Sequence, residues 1–295
     1  MSAACASNGC SSRARTEKRV ANLGMYDMDP AANDAFWAAL RSNLLLHGVS
    51  DAPKRLERDL PLPRVWSDPE LLFSQICGAP YAAGYADQLT LIGTPHYAAP
   101  GCDGAYHRSF VIVNRASPAR DIEDLSGACV AVNDRGSNTG FNLLGDWLSP
   151  LSTGEPFFAR LVISGAHMES MRLVAEGAAD VASIDCVTHA FLARHHPELV
   201  SATRILARTA LTPAPPWVVS RSTPRRVVEA LRDALRTVLS SPRMTGLGSR
   251  LLLQGFSELP AASYRAILES AQRARSVMPS PETSAPVQAA RCAGS

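Results

Sequence analysis

Short apolar strands that feed directly into helices dominate the middle of the chain. Residues 129–132, 161–163 and 181–184 are apolar runs too short for a helix. Each is followed by a polar turn and then by helical periodicity. The first helix spans about Asn138 to Leu148. The second runs through Met168, Met171 and Val174 to Gly177, and the third through Val187, Phe191 and Leu192. Repeated βα units of this kind require a mainly parallel sheet with helices on both faces.

The flanking regions carry the same alternation less regularly. Strands are expected at 20–25, 89–92, 110–113, 205–206 and 217–219. Asp29-Pro30 gives a helix N-cap with proline at the first turn, and Phe36, Leu40, Leu44 and His47 continue one face until Gly48. Asp68-Pro69 repeats that signal, predicting a helix through Leu71, Leu72 and Ile76. After Thr223-Pro224, one stripe runs through Val227, Val228, Leu231, Leu235 and Val238, and another through Tyr264, Ile267 and Leu268. Both stripes are expected to be core. Residues 1–19 read as a disordered arm and 276–295 as a disordered tail.

Composition removes several functions. The 29 Lys+Arg and 27 Asp+Glu leave a net charge of +2, without the basic stripe of a nucleic-acid binder. No apolar run approaches the ~18 residues of a membrane span. Lys18 and Lys54 are the only lysines, which argues against a pyridoxal Schiff base, and no cofactor is expected. The seven cysteines contain no CxxC pair, which argues against zinc. Residues 1–19 have no apolar core, so the chain as written carries no secretory signal. That fits a cytoplasmic protein, a wrongly chosen start codon or a trimmed sequence.

In an open α/β sheet, ligands bind where strands end and helices begin. Three such junctions carry polar residues. Asn133 to Gly140 combines glycines with Ser137, Asn138 and Thr139, and reads either as an anion-binding helix start or as a simple capped turn. His167 opens the next helix and is either a donor to an oxyanion or a solvated terminal residue. Asp185 ends the third strand and is either an N-cap or an acceptor for a ligand group. Tyr26 and Tyr97 follow strands near the amino terminus and are either hydroxyl donors or interfacial aromatics.

Several segments resemble the phosphate/phosphonate substrate-binding proteins of ABC transporters. They include Asn22 to Asp27, Leu72 to Gly78, Gly93 to Tyr97 and Pro100 to Cys102. Further along come Asp124 to Gly127, Val132 to Asp134, Ser137 to Gly140, Gly165 to His167, Val174 to Gly177 and Ala179 to Asp185. The match runs in order from about residue 20 to 275. The resemblance implies a two-lobed type 2 periplasmic-binding-protein fold, each lobe a mainly parallel sheet flanked by helices around a central cleft. Lobe one is expected over 20–112 plus 214–275 and lobe two over 113–213, with crossovers near 110–114 and 209–217. The resemblance puts the anion-holding helix start on Ser137, Asn138 and Thr139, and the cleft histidine and carboxylate on His167 and Asp185. The first-lobe tyrosines fall on Tyr26 and Tyr97.

The implied function is capture of a small phosphonate- or phosphate-like anion by a monomer that serves an ABC permease, in the periplasm and without catalysis. The alternatives are a cytoplasmic ligand sensor, or an enzyme using Cys77 with His96 or Cys186 with His189. The resemblance also places Cys77 and Cys102 near the cleft, where export would permit a disulfide and a cytoplasmic setting would leave two free thiols.

Overall fold

The computed structural model describes residues 19–151, 154–280 and 284–285. In chain order the strands are β1 (Val20–Ala21), β2 (Leu71–Gln75), β3 (Leu89–Tyr97), β4 (Tyr106–His107), β5 (Ser109–Asn114), β6 (Cys129–Val132), β7 (Arg160–Ile163), β8 (Val181–Asp185), β9 (Thr203–Arg208), β10 (Thr212–Pro213), β11 (Trp217–Ser220), β12 (Leu253–Ser257) and β13 (Ser284–Ala285). The helices are α1 (Pro30–Leu46), α2 (Leu62–Trp66), α3 (Gly78–Pro80), α4 (Leu143–Leu148), α5 (His167–Ala175), α6 (Cys186–His195), α7 (Pro197–Ser201), α8 (Arg225–Ser240), α9 (Met244–Leu251) and α10 (Ala266–Val277). No helix among the described residues is long and apolar enough to cross a membrane.

Two sheets form two lobes. The first has the order β1-β2-β11-β3-β12 and the second β13-β7-β6-β8-β5-β9. A short antiparallel pair, β4 with β10, lies between them and carries the chain across in both directions. This two-lobed α/β fold is the one the resemblance implies.

In the second lobe, β13, β7, β6 and β8 run parallel, while β5 and β9 close the edge antiparallel. The first lobe departs from a mainly parallel sheet. Strands β1, β2 and β3 run in one direction, but β11 returns from the crossing and inserts antiparallel between β2 and β3, and β12 pairs antiparallel with β3.

The helix expected after Asp68-Pro69 is instead strand β2. Asp68 uses its carboxylate to accept from the Glu70 amide in a tight turn, and Leu71–Gln75 is then buried on both faces. A continuous apolar run suits a central strand as well as a buried helix, so periodicity alone does not separate them. The strand expected at 20–25 is shorter, because a 3-10 turn (Gly24–Tyr26) follows β1 and turns Tyr26 inward. Helix α1 starts as read, with Asp29 accepting from the Ala32 amide. Leu268 is exposed, whereas Tyr264 and Ile267 of the same stripe are buried.

Helix α10 crosses from one lobe to the other. Its Ile267 packs with Tyr81 and Tyr264 in the first lobe. Ala274 and Val277 pack with Leu144 and Leu148 of the second. The expected lobe boundary at 275 therefore falls inside a helix that bridges both cores. The expected tail also begins within that helix, and residues 284–285 pair with β7. Residues 281–283 and 286–295 lie outside the described set, as does the expected arm except for Arg19, which pairs with Asp51 at 2.9 Å.

Candidate functional site

The carboxyl ends of β6 and β8 and the amino end of β5 meet at one end of the second sheet. The antiparallel register sets Ser109 opposite Asp185. Ser109 Oγ and Ser183 Oγ both donate to the Thr139 carbonyl, at 2.7 and 2.6 Å. These two strands therefore fix the backbone of the polar turn after β6.

That turn is a capped helix start. Ser137 Oγ accepts from the Gly140 amide at 3.0 Å, and one π-helical turn (Asn138–Asn142) leads into α4. The Ser137 hydroxyl is thus occupied by its own cap. Thr139 Oγ1 and His167 Nε2 share a hydrogen bond at 3.1 Å. Asn138 Nδ2 donates to Thr212 Oγ1 on β10 at 3.2 Å. Asn138 Oδ1 and His167 Nδ1 are buried and make no hydrogen bond among the described residues. Burial pushes the His167 pKa below its ordinary value, with the His107 charge adding to that and the Asp185 charge and Ser183 carbonyl opposing it.

Asp185 caps α6 and reaches across the cleft. Its Oδ1 accepts from the Thr188 amide at 2.8 Å. Its Oδ2 accepts from the Tyr26 hydroxyl of lobe one at 3.1 Å and lies 2.8 Å from His107 Nδ1. The carboxylate is only 2% exposed. Burial pushes its pKa up, but the charge and hydrogen bond of His107, the His167 charge and the Thr188 amide outweigh this and hold it at about 2. Asp185 is therefore ionised at neutral pH. The same carboxylate, after burial itself, pushes the Tyr26 hydroxyl well above 10 and keeps it a donor.

Tyr97 packs edge-on against Tyr26 with ring centroids 5.3 Å apart. Its hydroxyl accepts from Gln75 Nε2 at 2.8 Å, and Gln75 also donates to the Pro215 carbonyl. A cavity of about 20 Å³ lies behind the two tyrosines, lined by Gln75, Asn33, Phe36 and Trp217 among others. That is room for one water.

The structure thus brings Tyr26, Asn138, Thr139, His167 and Asp185 to one interlobe site, with Ser137 and Tyr97 behind them. Sequence reasoning missed His107, Thr212, Ser109 and Ser183. His107 and Thr212 are paired in the β4–β10 crossing. Arg135, beside the turn in sequence, instead donates to the Pro279 and Ser280 carbonyls and stacks on Phe141.

The cysteine–histidine pairs do not assemble. His96 Nε2 bonds Ser257 Oγ at 2.8 Å, and the His189 ring packs edge-on against Phe110. Cys77 is a free thiol facing the Asn138 and Ala79 amides, and burial raises its pKa. Cys102 meets Cys186 rather than Cys77, with their sulfurs 3.5 Å apart and unbonded. The Cys186 thiol is pushed far up by its contact with Cys102 and by burial. Among the described residues, no cluster of three or more His, Cys, Asp or Glu side chains is placed to hold a metal.

Comparison with known proteins identifies the family and the fold. A family model described as ABC transporter, phosphonate, periplasmic substrate-binding protein matches residues 76–264. Among solved structures, PhnD1 from Prochlorococcus marinus in complex with methylphosphonate aligns with a TM-score of 0.69 at 13% identity, covering 88% of this chain and 100% of that one. A binding protein component of an ABC phosphonate transporter from Pseudomonas aeruginosa gives 0.66 at 16% identity, with 88% of each chain covered. A Xanthomonas citri protein bound to chloride ion gives 0.66 at 17% identity, covering 87% and 97%. No curated protein sequence matches the chain.

Proposed function

This chain belongs to the periplasmic substrate-binding proteins of phosphonate ABC transporters, and on that premise we propose how its cleft captures a small phosphonate- or phosphate-like anion. The family supplies the substrate-binding component of an importer. The proposed residues are Ser137, Asn138, Thr139 and His167 for the anion, with Tyr26, Tyr97 and Asp185 completing the cleft.

The observation that carries this reading is the buried, unpartnered ring nitrogen beside the turn, His167 Nδ1. Buried polar groups without partners are rare in folded proteins, and a ligand is one resolution. The buried imidazole and the helix-start amides at this turn are the donors proposed for an oxyanion. The Ser137 hydroxyl acts by shaping the turn, since the Gly140 amide already occupies it. Hydrogen bonds to a charged group contribute about 1.5–3 kcal/mol each.

Lobe closure follows from the same residues. Tyr26 comes from lobe one and Asp185 from lobe two, so their bond forms only when the lobes approach. Closure by hinge motion is the standard response of such folds to a ligand. The β4–β10 pair is where the chain crosses, and it serves as the hinge. We propose a monomer that is exported to the periplasm and hands its ligand to a permease. No covalent step is proposed, because the Cys77 and Cys186 thiols are both held protonated.

A thermal-shift titration with phosphate, phosphite, methylphosphonate and sulfate tests the reading. A bound anion at 100 times its dissociation constant stabilises the fold by about 2.7 kcal/mol. A shift with the phosphorus anions supports the assignment, and no shift with any of the four contradicts it.

A further inference from the structure

We infer that His107 sets the class of anion this cleft accepts: a compact anion with no ammonium group. The inference rests on the anion-capture reading above.

A buried carboxylate in a binding cleft needs a partner, because an uncompensated charge away from water is costly. That partner comes either from the ligand, as an ammonium, or from the protein. Here the protein provides it. Oδ2 of Asp185 lies 2.8 Å from His107 Nδ1 as an ion pair and accepts from the Tyr26 hydroxyl, and Oδ1 takes the Thr188 amide.

His107 is not a loose side chain that a ligand would displace. It is 2% exposed. Its backbone is fixed by β4, whose partner in register is Thr212 of β10. Thr212 in turn holds the Asn138 side chain of the anion turn. The imidazole is therefore built into the crossing that joins the lobes.

An ammonium reaching Asp185 would have to break contacts to Oδ2 and sit beside His107, which stands where the cation belongs. A methyl group or hydrogen in that place disturbs nothing. His107 also shields the anion from Asp185. Without it, a bare carboxylate faces the bound oxyanion.

The two effects have opposite signs for two ligands, which a merely structural role does not produce. Calorimetry with methylphosphonate and 2-aminoethylphosphonate on wild type, His107→Ala and His107→Gln reads this directly. Wild type is expected to prefer methylphosphonate by roughly tenfold or more, a difference of about 1.4 kcal/mol. Both variants are expected to bind methylphosphonate more weakly and 2-aminoethylphosphonate more tightly, narrowing the ratio at least about tenfold in the alanine variant. Melting curves confirm that the variants fold.

A wild-type preference for 2-aminoethylphosphonate overturns the inference without any variant. So does an unchanged ratio in folded His107→Gln. Either result leaves anion capture standing, whereas wild type that binds neither ligand overturns both.

Discussion

Tyr26 and Asp185 lie 159 residues apart in sequence and meet at 3.1 Å across the cleft, hydroxyl to carboxylate. Each is buried, and each belongs to a different lobe. Tyr26 reaches the cleft because a 3-10 turn ends just there, and Asp185 because β8 ends where α6 begins.

Replacing Tyr26 by Phe keeps the ring packing on Tyr97 and Phe191 and removes only this bond. A hydrogen bond to a charged group contributes about 1.5–3 kcal/mol. The closed state loses that much, so the affinity for methylphosphonate falls roughly ten- to a hundred-fold. Calorimetry measures the affinity, and small-angle scattering of the ligand-free variant shows a larger radius of gyration than wild type. Unchanged affinity with unchanged radius removes the latch from the account.

The Asp185 carboxyl titrates at about 2 in the fold, below its ordinary 3.8. Folding therefore favours the ionised form. This contribution is complete above about pH 4 and is lost as pH falls towards 2, and it amounts to roughly 2 kcal/mol. Urea melts between pH 5 and pH 2.5 are expected to show a shallower acid loss in Asp185→Asn than in wild type. Parallel curves contradict the assignment.

The parts of the fold that local pattern encodes were readable. The three central βα units and Asp29-Pro30 at the start of α1 lie where the spacing predicts. Strand β2 was not readable, because Asp68-Pro69 suits a turn as well as a helix cap, and Leu71–Gln75 is apolar throughout. The site divides in the same way. Thr139, His167 and Asp185 sit at strand–helix junctions and announce themselves. His107 and Thr212 enter through a strand pair that joins positions about a hundred residues apart, which no local pattern contains. The one available signal for His107 was physical: an ionised Asp185 at a buried strand end demands a cationic or donor partner.

Gly145 lies where α4 meets α10. A Cβ there would stand 2.7 Å from the Ala274 Cα and 2.6 Å from its Cβ. The contact is partly backbone, so the helices must separate. Gly145→Ala is expected to lower stability by about 1–3 kcal/mol, as overpacking does. Anion affinity should hold, since neither α10 nor this face of α4 contributes to the proposed site. Chemical denaturation reads the first effect, and a melting point at or above wild type argues against close α4–α10 packing.

Cys102 and Cys186 are neighbours across the lobes, whereas Cys77 faces the Asn138 amide. Diamide, which takes two electrons and two protons from a thiol pair, is expected to join Cys102 to Cys186. Non-reducing peptide mass mapping identifies the linked peptides. A Cys77–Cys102 link would show that the 3.5 Å approach is not the one the protein adopts in solution.

The central claim is that an oxyanion sits on the turn after β6 with His167 beside it. Calorimetric titration of methylphosphonate into wild type and Thr139→Val tests it most directly. The valine keeps the shape and the backbone amide but removes the hydroxyl that shares a hydrogen bond with His167 Nε2. Affinity is expected to fall roughly ten- to a hundred-fold, the weight of one or two hydrogen bonds to a charged group. Equal affinity in the two proteins would place the anion elsewhere.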